Sequence, residues 1–177
     1  RTWVPPTSAD GTATYYLSIN RNKRSIVLDL ADPADLEVAQ RLAARADVMI
    51  ENFKPGGLAR FGLDHDSVSA ANPRVVYCSI SGFGTAGGAS LPGYDLLVQA
   101  TSGLMSLTGD ADGPPYRAGV AVFDVITGLH AALAILAALH HRERTGEGQK
   151  LETNLLSAAL SGLVNQTSAV LAGGVVP

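Results

Sequence analysis

Asp47-Val-Met-Ile-Glu51 running into Asn52-Phe-Lys-Pro-Gly-Gly57 decides the fold. A short apolar run that ends in a Pro-Gly turn reads as a strand giving way to a loop. A brief helix over residues 58–61 and another over 64–71 come next, and after Pro73 a second apolar run, residues 74–80, reads as the following strand. Strand and helix in alternation build a parallel sheet covered by its crossover helices.

Working outward, Ser25-Ile-Val-Leu-Asp-Leu30 is β-branched and apolar enough for a strand. Asp32-Pro33 then supplies a cap and a first-turn proline for a helix to about residue 45. Residues 15–19 suit a short strand or a helical turn, and Asn20-Arg-Asn-Lys-Arg24 a basic turn. On the other side, residues 81–92 are mostly Gly, Ser and Ala and read as a mobile loop before the apolar segment 94–107. Loops of this length are often functional. A helix is expected over residues 124–144, stopped by Thr145-Gly-Glu-Gly148, then a strand at 150–153 and an apolar helix over 154–171. The fold class expected is therefore α/β, a Rossmann-like open parallel sheet with helices on both faces. At 177 residues the chain suits one domain.

Thirteen Lys and Arg against sixteen Asp and Glu give a net charge of -3, and no basic run is long enough to track a nucleic acid. The single cysteine, Cys78, rules out an internal disulfide; it lies in an apolar run, reads as a buried, inert thiol, and fits a reducing, cytoplasmic setting. The apolar segment 125–139 falls short of the ~18 residues of a membrane span and reads as a core helix. His65, His130, His140 and His141 show no metal-ligand spacing. The opening Arg1-Thr-Trp-Val-Pro-Pro6 has neither an initial Met nor a signal pattern and reads as the interior of a longer protein.

Two constellations are candidates for chemistry. Gly82-Phe-Gly-Thr-Ala-Gly87 matches the dinucleotide fingerprint G-x-G-x-x-G, but Ser90 and Pro92 follow where a helix must begin to meet a pyrophosphate, so a lid is the better reading. Asp124 stands at the start of a long apolar helix, where N–H groups favour an anion. By position alone it is a capping residue. Thr127-Gly128 behind it offers close backbone approach, and no other carboxylate lies in Arg117-Ala-Gly-Val-Ala-Val-Phe123.

Five motifs occur in a fixed order: Asn20-Arg-Asn-Lys-Arg-Ser25, Glu51-Asn-Phe-Lys-Pro-Gly56, Ser79-Ile-Ser-Gly-Phe-Gly84, Gly93-Tyr-Asp-Leu-Leu97 and Ala121-Val-Phe-Asp-Val125. In this order they resemble the class III CoA transferases of CaiB/BaiF type, with formyl-CoA transferases and α-methylacyl-CoA racemases among the relatives. The resemblance covers nearly the whole chain. It implies that Asp124 is the nucleophile, attacking an acyl-CoA thioester to give a mixed anhydride and then an aspartyl-CoA thioester. A carboxylic acid acceptor then collects the CoA. CoA and acyl-CoA are implied as substrates, with no tightly bound cofactor.

For CoA contacts the resemblance implies Leu28, Asp29, Leu30 and Ala31, then Asn52, Phe53 and Lys54, with Arg60 suited to a phosphate. Ala31 stands where some relatives carry a lysine. Pro92, Gly93, Tyr94 and Asp95 are implied to line the same site, Asp95 having helix capping as its alternative. Lys23 and Arg24 suit a solvated turn or a CoA role equally. Tyr94 stands where the racemases carry a histidine base, and a phenol is a poorer base near neutrality, which favours transfer over racemisation. The resemblance also implies an interlaced homodimer, and places this chain in the centre of a large catalytic domain without the family's first strand-helix units or its small second domain. The rival readings are a racemase and a non-catalytic CoA-binding or assembly piece.

Overall fold

The computed structural model describes residues 6–177, and Arg1-Thr-Trp-Val-Pro5 lies outside them, including the start of the chain's opening segment. β1 (Val48–Glu51), β2 (Val76–Ser81) and β3 (Gln149–Asn154) form a parallel sheet in the order β1-β2-β3. The helices are α1 (Thr14–Ile19), α2 (Pro33–Ala43), α3 (His65–Ala71), α4 (Asp95–Thr101), α5 (Leu104–Leu107), α6 (Val122–Thr145), α7 (Leu155–Gly162) and α8 (Val164–Gly173). A single 3-10 turn, Ala59–Phe61, takes the place of the brief helix expected at 58–61.

β2 is the central strand and is covered on both faces, which is why it reads as a continuous apolar run rather than an alternating one. Val76, Tyr77 and Cys78 are each at most 2% exposed. Alternation sends Val75 and Tyr77 into a cluster with Ala43, Leu58, Leu63 and Val68, beside Met49, the register partner of Tyr77. Ile80, on the other face, packs against a second cluster of Val98, Phe123, Leu155 and Ala159. Helices thus cover both faces, as expected. The Tyr77 hydroxyl, buried, donates to Leu63 O at 3.0 Å. Burial, with Glu51 and Asp64 nearby, pushes its pKa up to about 12. Burial first and the Glu51 charge second also push the Cys78 thiol up, which keeps it a protonated core residue.

α2 begins as its sequence dictates, with the Asp32 carboxylate accepting from Ala34 N at 2.8 Å and Asp35 N at 3.1 Å ahead of Pro33. α6 lies against β2 and β3 and buries Phe123, Thr127, Ala131 and Ala138, one stripe of mostly small side chains. At its far end Arg142 donates to Asp47 O, Arg74 O and Asp47 Oδ1 at 3.0–3.2 Å, tying the helix to the entry of both neighbouring strands.

At four places the structure departs from the sequence reading or adds to it. Residues 25–30 form no strand: Ile26 and Val27 are 61% and 93% exposed, and no described segment pairs with them. Local β-propensity does not make a strand without a partner for its N–H and C=O groups. The helix expected over 154–171 is two helices bent by 87°, with Val164 held at φ 41° just past the break. The apolar stretch 94–107 is likewise divided, by Gly103 at φ 90°. α6 has 24 residues, so it is longer than its apolar centre suggests and long enough to cross a bilayer; it lies along the sheet, with Val125, Leu129, Leu133 and Leu136 on its outer face 59–66% exposed.

Gly148 leads into β3 beneath β2, and a Cβ there would lie 2.0 Å from Val75 O, a backbone atom that cannot step aside. Gly148→Ala should therefore lower unfolding stability in urea by about 1–3 kcal/mol. Gly119→Ala, at a site with open space around it, should change stability by less than about 0.5 kcal/mol.

Candidate active site

Parallel pairing brings the ends of β1, β2 and β3 to one edge of the sheet, where open α/β folds bind ligands. Glu51 fixes the first loop: its carboxylate accepts from Phe53 N at 2.7 Å and from the Ser79 hydroxyl in a short hydrogen bond. Asn154 caps α7 by accepting from Ser157 N at 2.8 Å, and Leu156 N donates to Gly82 O at 3.1 Å, joining α7 to the end of β2.

The loop after β2 is pinched at its base. A Cβ on Gly82 would sit 2.3 Å from Gly93 Cα, so two backbones cross at a distance only glycine allows. Gly84, at φ 81°, donates its N–H to Ser81 Oγ at 3.1 Å. The dinucleotide-like glycines thus serve a close crossing and a left-handed turn. Turns, not a helix, continue to residue 90.

These loops enclose a cavity of about 520 Å³. Its walls include Asn52, Phe53 and Lys54 from the first loop, Pro92, Gly93 and Tyr94 from the second, and Thr127, Gly128 and Leu155 from α6 and α7. Asp124 stands on its wall at the first turn of α6. Seven of the residues singled out in the sequence therefore meet at one place. Leu28, Asp29, Leu30, Ala31, Arg60 and Asp95 do not line this cavity. Leu30 packs against the α2–α3 side of the core, and the Arg60 guanidinium lies 4.5 Å from the centre of the Phe61 ring.

Asp124 is not the cap of α6. It is the third helical residue, behind Ala121, which has no capping side chain. The cap comes from Asp95, whose Oδ1 accepts from Phe123 N at 2.7 Å and Asp124 N at 3.1 Å. Val122 N is held by Val120 O at 2.8 Å. The first-turn N–H groups expected to favour an anion at Asp124 are thus already occupied, and Asp124 gains little from them. Its carboxyl is pushed above its ordinary value of 3.8, first by partial loss of water and then by the Asp95 charge. The side chain still reaches solvent on its cavity side.

Gln99 is the residue that the sequence did not reveal. It is 2% exposed, and a lone Gln in an apolar helix gives no signal of its partners. A second, polar cavity of about 200 Å³ lies around Glu51, Lys54, His65, Lys150 and Glu152. Within it Lys150 pairs with Glu152 at 2.8 Å, and His65 Nδ1 lies 2.9 Å from the Asp66 carboxylate. Among the described residues no group of three His, Cys, Asp or Glu side chains is placed to hold a metal.

The profile of CoA-transferase family III matches residues 1–177. A succinate–glutarate CoA-transferase from Agrobacterium fabrum is 49% identical over 183 residues, which cover 100% of this chain and 46% of that relative. A succinyl-CoA:glutarate CoA-transferase from Mus musculus is 43% identical over 174 residues, covering 98% of this chain and 40% of that relative. The crystal structure of a CAIB/BAIF family protein from Brucella suis superposes with a TM-score of 0.94 at 45% identity, covering 100% of this chain and 48% of that one. The chain thus spans less than half the length of these relatives. Profile, sequence and backbone agree over the full chain, which belongs to CoA-transferase family III.

Proposed function

We propose that the protein moves CoA from an acyl-CoA to a carboxylic acid, with Asp124 as the nucleophile. The observation that carries this reading is the placement of Asp124 on the wall of the 520 Å³ cavity at the sheet edge, with a raised pKa. A carboxylate of raised pKa is a stronger nucleophile while it remains ionised. Its oxygen attacks the thioester carbon and expels CoA thiolate, leaving a mixed anhydride on Asp124. The thiolate then attacks the aspartyl carbonyl, releasing the donor acid and leaving an aspartyl-CoA thioester. Acceptor carboxylate attacks that thioester and expels the thiolate again. The thiolate finally attacks the acceptor acyl carbon, which yields the new acyl-CoA and frees Asp124.

The cavity suits this sequence of steps. Ile80, Phe83 and Leu91 give part of its wall an apolar surface beside the place proposed for the anhydride, which water would destroy. Lys54 supplies a cation for a carboxylate or phosphate. Asn52 and Phe53 beside it are the proposed CoA contacts, with Arg60 and the 28–31 segment reaching the nucleotide farther out. Tyr94 stands on the wall where an imidazole would be needed to move an α-proton, and it supports transfer rather than racemisation. The same reading makes the chain the centre of a large catalytic domain in an interlaced, cytoplasmic homodimer. The exposed apolar face of α6 supports an assembly in which further polypeptide covers that helix.

Mass spectrometry of the intact protein after incubation with acyl-CoAs should find a hydroxylamine-sensitive adduct on Asp124. Asp124→Ala should lower transfer by at least ~10³-fold. Full transfer by that variant removes the proposed nucleophile.

The raised pKa has a second consequence. The folded state holds the Asp124 proton more tightly than the unfolded chain, so stability falls as pH rises from about 3.8 through the folded value. Asp124→Asn, which cannot ionise, should melt higher than the parent near neutral pH, and the gain should vanish below about pH 3.8. Equal melting temperatures at both pH values would contradict the assigned shift.

A further inference from the structure

We propose that Asp95 is the positioning residue of this reaction: it caps α6 from outside the helix and sets a second negative charge against the attacking carboxylate. The inference rests on Asp124 being the nucleophile and adds what governs it. Three contacts carry it. Oδ1 of Asp95 takes both the Phe123 and the Asp124 N–H, so the Asp124 backbone is anchored through a side chain on another helix. Oδ2 takes a short hydrogen bond from Gln99 Nε2. Gln99 in turn donates to Val120 O at 3.3 Å and accepts from Ala118 N at 2.8 Å.

The amide of Gln99 therefore holds Asp95 and the segment just before α6 in one frame. Buried at 2% exposure and satisfied on both polar atoms, it has one arrangement available. Position alone would make this a structural cap. The electrostatics go further, because Asp95 takes the donors that would otherwise stabilise the Asp124 carboxylate, and its own charge repels it. Both effects leave Asp124 poorly stabilised as an anion before attack. Charge is relieved when the oxygen acylates, so the ground state loses stabilisation that the transition state does not need.

The other groups around Asp124 do not duplicate this role. Tyr94 and Lys54 face the same cavity, Lys54 with a charge of opposite sign. α7 carries no titratable side chain. From the sheet, Cys78 is buried, while Lys150 and Glu152 pair with each other beside the second cavity. His130 is the next titratable residue along α6 itself.

The test is the pH dependence of kcat/KM in the intact protein for the parent, Asp95→Asn and Gln99→Leu. Asp95→Asn keeps an oxygen for the two N–H groups and removes the charge. Its acidic limb should move to lower pH, with kcat down ~10-fold and KM for acyl-CoA within ~2-fold. Gln99→Leu keeps both charges and loosens the frame, so kcat should fall with the acidic limb still at the parent's position. Should Asp95→Asn fail to fold, raising the salt concentration on the parent screens the Asp95–Asp124 repulsion and should move the limb the same way. A limb that stays fixed in Asp95→Asn, or under salt where that variant does not fold, overturns the inference. So does a parent-like kcat in Asp95→Asn. Activity retained by Asp124→Ala would overturn the nucleophile itself, a different result from an unmoved limb in an enzyme that still needs Asp124.

Discussion

Two hydrogen bonds from the first turn of α6 to the Asp95 carboxylate govern where Asp124 stands. α6 is the longest element and covers β2 and β3, so fixing its N-terminus fixes the cavity wall and the sheet's covering layer together. The other end is fixed by Arg142, whose guanidinium meets Asp47 and the Arg74 carbonyl. A negative group at the start of a helix and a positive one at its end also complement the helix dipole.

The cost of this arrangement falls on Asp124. Two carboxylates at one helix end repel each other, and the one that faces the cavity carries the raised pKa. Stability is given up at the residue proposed as the nucleophile, a pattern common to sites that hold groups in unfavourable surroundings. The glycines nearby follow the same logic of position over comfort. Gly82 and Gly93 cross at a distance no Cβ permits, and so the loop over the cavity starts and ends at one point.

Much of the fold was legible because its signals are local. Asp32-Pro33 announced α2, the apolar run at 74–80 announced the buried central strand, and Gly146 closed α6 in the left-handed conformation its sequence suggested. Of the site, Asp124, the Asn52-Phe53-Lys54 loop and Tyr94 came from ordered motifs, and they converge on one cavity. Gln99 was not legible, since its meaning lies in Ala118 and Val120, 19 and 21 residues away.

The sequence by itself determined the alternation of strand and helix, the family, and the carboxylate at the head of the long helix. Those follow from short-range propensity, from periodicity and from motifs that need no coordinates. Only the tertiary structure decided that residues 25–30 stay unpaired, that the last apolar stretch bends by 87°, and that α6 is capped by a residue 28 positions before Phe123. Each depends on a partner distant along the chain, and a hydrogen bond across such a distance is set by how the layers pack rather than by the residues on either side of it.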